Sequence, residues 1–230
     1  MNDEMKTMAR DFFGYGRWDT PYSFIGPEPA GDNHAQRAAA FKKLEHDGLC
    51  DCKEFHDEIK VDWSNKPQKT WNRLMLLLKS FLGEEWKKEF CDNGDESQSL
   101  LSYQRSRWGS GSREGNTCVI ELRGLNTKGN DAYRTICAAE LPVRIARINE
   151  KLKTSQEKPK LVVMYGKSEE RSWRQIAEFK PLLDNPLRRD STTFVFAHHP
   201  NARGVTGDYW LKESYWTDLG IKAREASNES

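Results

Sequence analysis

The residues able to do chemistry fall in four short loops. In FVFAHHPNARG, residues 194–204, an apolar run ends in His198, His199, Pro200, Asn201 and Arg203. An imidazole at such a strand end can donate a proton to a polar reactant or accept one from it. In IGPEPAGDN, residues 25–33, two prolines and two glycines stiffen a turn around Glu28, whose carboxylate is a candidate acid–base group. The same stretch reads equally as a tight strand-to-helix connection with Asp32 or Asn33 as N-cap, and the two roles are compatible. In RGLNTKG, residues 123–129, the amide of Asn126 carries both a donor and an acceptor and can read the edge of a base. An asparagine between two glycines is also an ordinary turn residue. The fourth loop is the turn from Gly166 to Ser168.

A metal is a poor explanation of the paired histidines. Adjacent residues at a strand end point to opposite sides, so His198 and His199 are ill placed to share an ion, and no cysteine or acid stands at a supporting spacing. His198 reads as a structural group beneath the loop. Cys50, Cys52, Cys91, Cys118 and Cys137 are odd in number and contain no CxxC pair. They imply buried or free thiols rather than a disulfide framework, a zinc site or an iron–sulfur site.

The elements that must position these loops alternate. Strand-like runs stand at 22–26, 117–122, 160–166 and 192–197, and helix-like stretches follow 32 through 44 and cover 69–81, 138–152 and 168–179. Alternation of this kind predicts an α/β fold of three α/β/α layers, with a central four-stranded, mainly parallel sheet covered on both faces. Parallel strands deliver their following loops to one edge, where open α/β sheets place ligands. With 37% hydrophobic and 11% aromatic residues, the 230 residues are enough for one sizeable core, so a single domain over 1–230 is expected. Flexible ends are expected at about 1–15 and about 220–230.

The net charge of +1, from 36 basic and 35 acidic side chains, excludes a histone-like overall attraction to nucleic acid but not a local basic face. Between 103 and 123 stand Arg105, Arg107, Arg113 and Arg123, around Trp108 and a Gly-Ser-Gly-Ser run. That composition suits a flexible loop against a phosphate backbone, and equally a solvated loop. No apolar run approaches membrane-spanning length, and the charged start MNDEMKTMAR is unlike a secretory signal. A soluble, cytoplasmic monomer with no membrane partner is expected.

Taken in order, these segments resemble the uracil-DNA glycosylase superfamily. Gly26-Pro27-Glu28-Pro29-Ala30 is similar to the family's motif after the first strand, and His199-Pro200-Asn201-Ala202-Arg203 to its motif after the last. KLVVMYGKSEERSW resembles the penultimate strand, glycine turn and helix, and Asn126 stands near a strand end as the family's base-reading asparagine does. The resemblance spans about residues 20–215. It implies a glycosylase-like fold and a DNA partner.

By the same resemblance, Glu28 and His199 are the catalytic pair, with Glu28 near the sugar or holding the water and His199 donating to the departing base. Asn126 and Gly26 would meet the flipped base. In VDWSNKPQKTWNRL, Trp63 corresponds to the stacking aromatic, although after Val61 it reads as well as a core residue, with Trp71 and Trp108 as substitutes. Pro67, Lys69, Ser168, Asn201, Arg203, Arg105 and Arg107 would face DNA. No metal or organic cofactor is required. Two departures bear on substrate. Ala30 stands where the best-known branch has a tyrosine that crowds the pyrimidine 5-position, and Arg203 where it has an intercalating leucine. The resemblance therefore implies excision of a 5-substituted or otherwise modified pyrimidine, with a role in defence against phages whose DNA carries such bases. Uracil repair and an inert nucleic-acid-binding module are the alternatives.

Overall fold

The computed structural model describes residues 3–29, 31, 33–61, 67–90, 96–155, 158–201 and 211–229. In chain order its elements are α1 (Asp3–Asp11), β1 (Gly14–Tyr15), β2 (Tyr22–Gly26), α2 (His34–Leu44), β3 (Leu49–Cys50), α3 (Cys52–Glu58), α4 (Lys69–Leu82), α5 (Glu84–Phe90), α6 (Glu96–Ser106), β4 (Thr117–Glu121), α7 (Asp131–Thr154), β5 (Leu161–Tyr165), α8 (Glu170–Ala177), β6 (Leu187–Arg189), β7 (Thr192–Ala197) and α9 (Glu213–Asn228). The class is α/β. The chain groups into two compact units, Met1–Asp62 with Trp108–Pro159, and Trp63–Arg107 with Lys160–Ser230.

In the first unit the strands lie in the order β3-β1-β4-β2. β2 and β4 run parallel, from Tyr22 opposite Thr117 to Gly26 opposite Glu121, while β1 is antiparallel to β4 and parallel to β3. Both longer strands are buried at every position, so they read as continuous apolar runs rather than alternating ones. Phe55 stacks on Phe12 at 5.5 Å and meets Tyr15 edge-on at 5.4 Å, and Phe24 packs against Trp108 at 4.7 Å. The guanidinium of Arg144 on α7 is buried and donates to the carbonyls of Ala9, Arg10, Phe12, Glu121 and Leu122 at 2.6–3.1 Å. It lies 4.2 Å from the Phe13 ring. Burial lowers its pKa to about 10, which leaves it charged at neutral pH. One cation thereby ties the end of α1 to the carboxyl end of β4, where the Asn126 loop begins.

In the second unit β5 and β7 run parallel, from Leu161 opposite Thr193 to Tyr165 opposite Ala197, and β6 adds antiparallel to β7. α4 and α9 pack along each other. Gly220 permits the approach, because a Cβ there would stand 2.3 Å from the Leu77 carbonyl oxygen.

Several expectations need correction. The four predicted strands are present as β2, β4, β5 and β7, but the described residues hold seven strands rather than four. The additional β1, β3 and β6 are two or three residues long, too short to leave a periodic run in the sequence. Both ends expected to be flexible carry packed helices. α1 buries Met5, Met8 and Ala9, and α9 buries Tyr215, Trp216, Leu219 and Ala223, few residues but at helical spacing. α7 begins well before 138, because the Asn130 side chain caps it by accepting from the Tyr133 N–H at 3.0 Å.

The basic segment is not a free loop either. Its start belongs to α6, and Asp51 Oδ2 accepts from Ser110 Oγ at 3.0 Å and from the Gly111 N–H at 2.8 Å. Among the described residues no helix is long and apolar enough to cross a membrane.

Candidate active site

In the first unit the loops after β2 and β4 are stapled together. Gly26 ends β2 and its carbonyl accepts from the Leu122 N–H at 2.8 Å, and the Pro27 carbonyl accepts from the Arg123 N–H at 3.0 Å. The half-buried Glu28 then reaches the second loop, where its Oε2 accepts from the Thr127 N–H at 3.1 Å and from Thr127 Oγ1 at 2.7 Å. Its Oε1 makes no hydrogen bond to any described residue. A carboxylate held by one oxygen, with the other open, can orient or deprotonate a water.

Asn126 is brought close to this group but is engaged in shaping the loop. Its Nδ2 donates to the Gly31 carbonyl at 3.2 Å and its Oδ1 accepts from the Lys128 N–H at 3.0 Å. Those contacts are the turn role. Thr127, the residue that fixes Glu28, was legible only as the neighbour of Asn126.

A second residue missed in the sequence is Glu121, the last of β4, opposite Gly26. The residue is only 7% exposed, and its buried Oε2 has no hydrogen-bond partner among the described residues. Burial pushes its pKa up to about 8, against the opposing pull of Arg37 and Arg144 and with a smaller push from Glu28. The signal was an acid inside the apolar run TCVIEL.

In the second unit the loop after β7 is built on α4. Arg73 donates to the Pro200 carbonyl and, at 2.7 Å, to the Leu211 carbonyl, and at 3.3 Å to Asn201 Oδ1. Asn201 Nδ2 donates to Thr70 Oγ1. His199 is half-buried beside the Tyr165 ring, and its Nδ1 accepts from the Asn201 N–H at 3.1 Å. Nδ1 being an acceptor, the neutral ring carries its proton on Nε2 and is a donor there. His198 packs beneath the loop, with Nε2 3.8 Å from Asp184, whose other oxygen accepts from the Tyr215 hydroxyl.

The remaining predicted DNA-facing residues are spread over the second unit. Ser168 is exposed in a 3₁₀ turn after Gly166, whose φ of +105° a side chain would strain. Pro67 precedes the N-cap Gln68, while Lys69 opens α4 and is exposed. Arg105 is exposed on α6; Arg107 lies 3.9 Å from Glu89 and 6.0 Å from the Phe90 ring centroid. Trp63, Ala30 and Arg203 lie outside the described residues. Of the substitutes for Trp63, Trp71 and Trp108 are both core residues.

Among the described residues no group of three or more His, Cys, Asp or Glu could hold a metal ion. Cys50, Cys52, Cys118 and Cys137 are buried free thiols, and burial raises all four well above neutrality, Cys50 to about 12. None is a thiolate nucleophile at neutral pH. A scan against protein-family models and searches of curated proteins and of solved structures found no match.

Proposed function

We propose that the chain is a monofunctional DNA glycosylase that hydrolyses the N-glycosidic bond of a flipped, modified pyrimidine and leaves an abasic site. The observation that carries this reading is Glu28, half-buried at the carboxyl edge of β2 and anchored through Oε2 by Thr127, with no hydrogen bond from a described residue to Oε1. In the reaction the bond between C1′ and the base nitrogen breaks and its electron pair leaves with the base. Water adds to C1′ and Glu28 takes its proton, while the Nε2–H of His199 donates to the base oxygen on which charge collects. Asn126 and Gly26 meet the base, and the exposed arginines meet phosphate.

The reading implies a three-layer α/β/α fold of the uracil-DNA glycosylase type. It also implies a cytoplasmic monomer, and a 5-substituted pyrimidine as substrate in defence against phages with such DNA.

The test uses oligonucleotides bearing uracil, hypoxanthine, thymine opposite guanine, 5-hydroxymethylcytosine or its glucosylated form, incubated with the protein and treated with alkali to cut abasic sites. Scission is expected with a 5-modified cytosine. Glu28→Gln and His199→Ala should each slow it by about 10²–10⁴-fold with DNA affinity nearly unchanged. Scission with uracil alone would make this a repair enzyme. Binding without scission on any substrate, and unaffected by either substitution, would make it an inert nucleic-acid-binding module.

A further inference from the structure

The resemblance puts Asn201 among the DNA-facing residues, but its side-chain amide is engaged on α4 at both ends. Oδ1 accepts from Arg73 at 3.3 Å, and Nδ2 donates to Thr70 Oγ1. Thr70 and Arg73 stand three residues apart in the first turns of α4, hence on one face of the helix, and both are half-buried. The backbone N–H of Asn201 turns the other way along the loop and donates to His199 Nδ1 at 3.1 Å.

The links between α4 and the imidazole are short and stiff. Pro200, between the two, fixes its own φ and has no N–H to donate, so this turn can be tied only through its carbonyl and through Asn201. Arg73 takes that carbonyl through Nη1, and through Nη2 it takes the Leu211 carbonyl at 2.7 Å. One guanidinium therefore grips the chain at 200 and again at 211, two residues before α9. Asn72 adds a tie beside it, donating from Nδ2 to Glu213 Oε1 at 3.0 Å. A planar fork with several donors can serve these acceptors at once in fixed geometry, whereas an ammonium on a flexible stem cannot. The base of the clamp is itself fixed: Leu74, Leu77 and Leu78 are fully buried, and the Gln68 N–H donates to Gln104 Oε1 at 2.7 Å.

We propose that Arg73 and Thr70 are positioning residues for His199. Through Asn201 they hold the N–H that keeps Nδ1 an acceptor, so the ring is fixed beside Tyr165 with its proton on Nε2. Neither residue meets the base in this scheme, and the arrangement withdraws the Asn201 side chain from DNA. The assignment rests on the glycosylase reading only for what the Nε2–H donates to. A reacting group misplaced by about 1 Å can cost about a hundredfold in rate, so a clamp of this kind has a large effect to guard.

The test is heteronuclear NMR of the whole protein, free of DNA, comparing wild type with Arg73→Lys, Thr70→Val and Thr70→Ser. Wild type should show a through-hydrogen-bond coupling between the Asn201 amide nitrogen and His199 Nδ1, and slow exchange of that amide proton. In Arg73→Lys and Thr70→Val the coupling should vanish and the exchange should quicken about tenfold or more, while Thr70→Ser keeps both. Base release from the 5-hydroxymethylcytosine oligonucleotide should slow by about tenfold to a hundredfold in the two disrupted variants, with DNA affinity nearly unchanged and Thr70→Ser like wild type. Should Arg73→Lys not fold, the Thr70 pair decides alone. No coupling in wild type, or coupling retained in Thr70→Val and Arg73→Lys, overturns the assignment. Undiminished release where the coupling is lost overturns it as well. Coupling that depends on Arg73 and Thr70, in a protein that releases no base from any substrate, refutes the glycosylase and leaves the positioning of His199 standing.

Discussion

Replacing Glu121 by glutamine should change how the stability of the protein depends on pH, in a window set by the carboxyl's own displacement. Moving a carboxyl from its ordinary 4.5 to about 8 corresponds to about 5 kcal/mol, at about 1.4 kcal/mol for each tenfold change in proton affinity. In this window the folded state holds a proton that the unfolded state has released, so stability falls as pH rises from about 4.5 to about 8. Below the window both states are protonated and the full contribution is present. Above it both are ionised and the folded state bears the whole cost of a buried charge.

A second buried group works the other way. His56 donates from Nδ1 to the Cys52 carbonyl at 2.7 Å, and burial lowers its pKa from 6.5 to about 4. Stability therefore rises with pH between about 4 and 6.5 on its account. The two nearly cancel up to pH 6.5, and the net decline in wild type should fall between about 6.5 and 8. Urea denaturation of both proteins at pH 5, 6.5 and 8.5 separates them. Glu121→Gln should match wild type within about 1 kcal/mol at pH 5 and exceed it by several kcal/mol at pH 8.5. A difference between the two proteins that stays constant across the three pH values would refute the claim that Glu121 is buried in its protonated form.

Arg144→Met should destabilise by about 3–5 kcal/mol in the same denaturation experiment, because it strands the carbonyls that the guanidinium serves; a loss below 1 kcal/mol would refute that bracing role. Thr127→Val removes the 2.7 Å hydroxyl contact to Glu28 and should slow base release tenfold or more, for a charge-assisted bond worth about 1.5–3 kcal/mol, while Thr127→Ser restores it. An unchanged rate in Thr127→Val would remove the anchoring role. DNA affinity should fall steeply with salt, and Arg105→Ala and Arg113→Ala should each flatten that slope; binding indifferent to salt would withdraw the arginines from the DNA face.

The sequence alone determined the elements whose signal is local. Four strands were legible because each is a buried apolar run bounded by turn residues, and α2 and α4 because their apolar positions and N-caps lie within a few residues of one another. It also placed Glu28, Asn126 and His199 at strand ends. Tertiary structure decided what those residues touch. That Glu28 rests on Thr127, that Asn126 donates to the Gly31 carbonyl, and that Arg73 holds the His199 loop are contacts between residues distant in the chain, with no local trace. The short strands β1 and β6 lie along the longer β4 and β7, which satisfy their backbone groups, and β3 in turn pairs with β1. α1 and α9 looked like polar tails because a helix that buries one narrow stripe needs few apolar residues, and only the surface it packs on shows which they are. Glu121 is the sharpest case: its type is written in the sequence, but its charge state belongs to the burial around it.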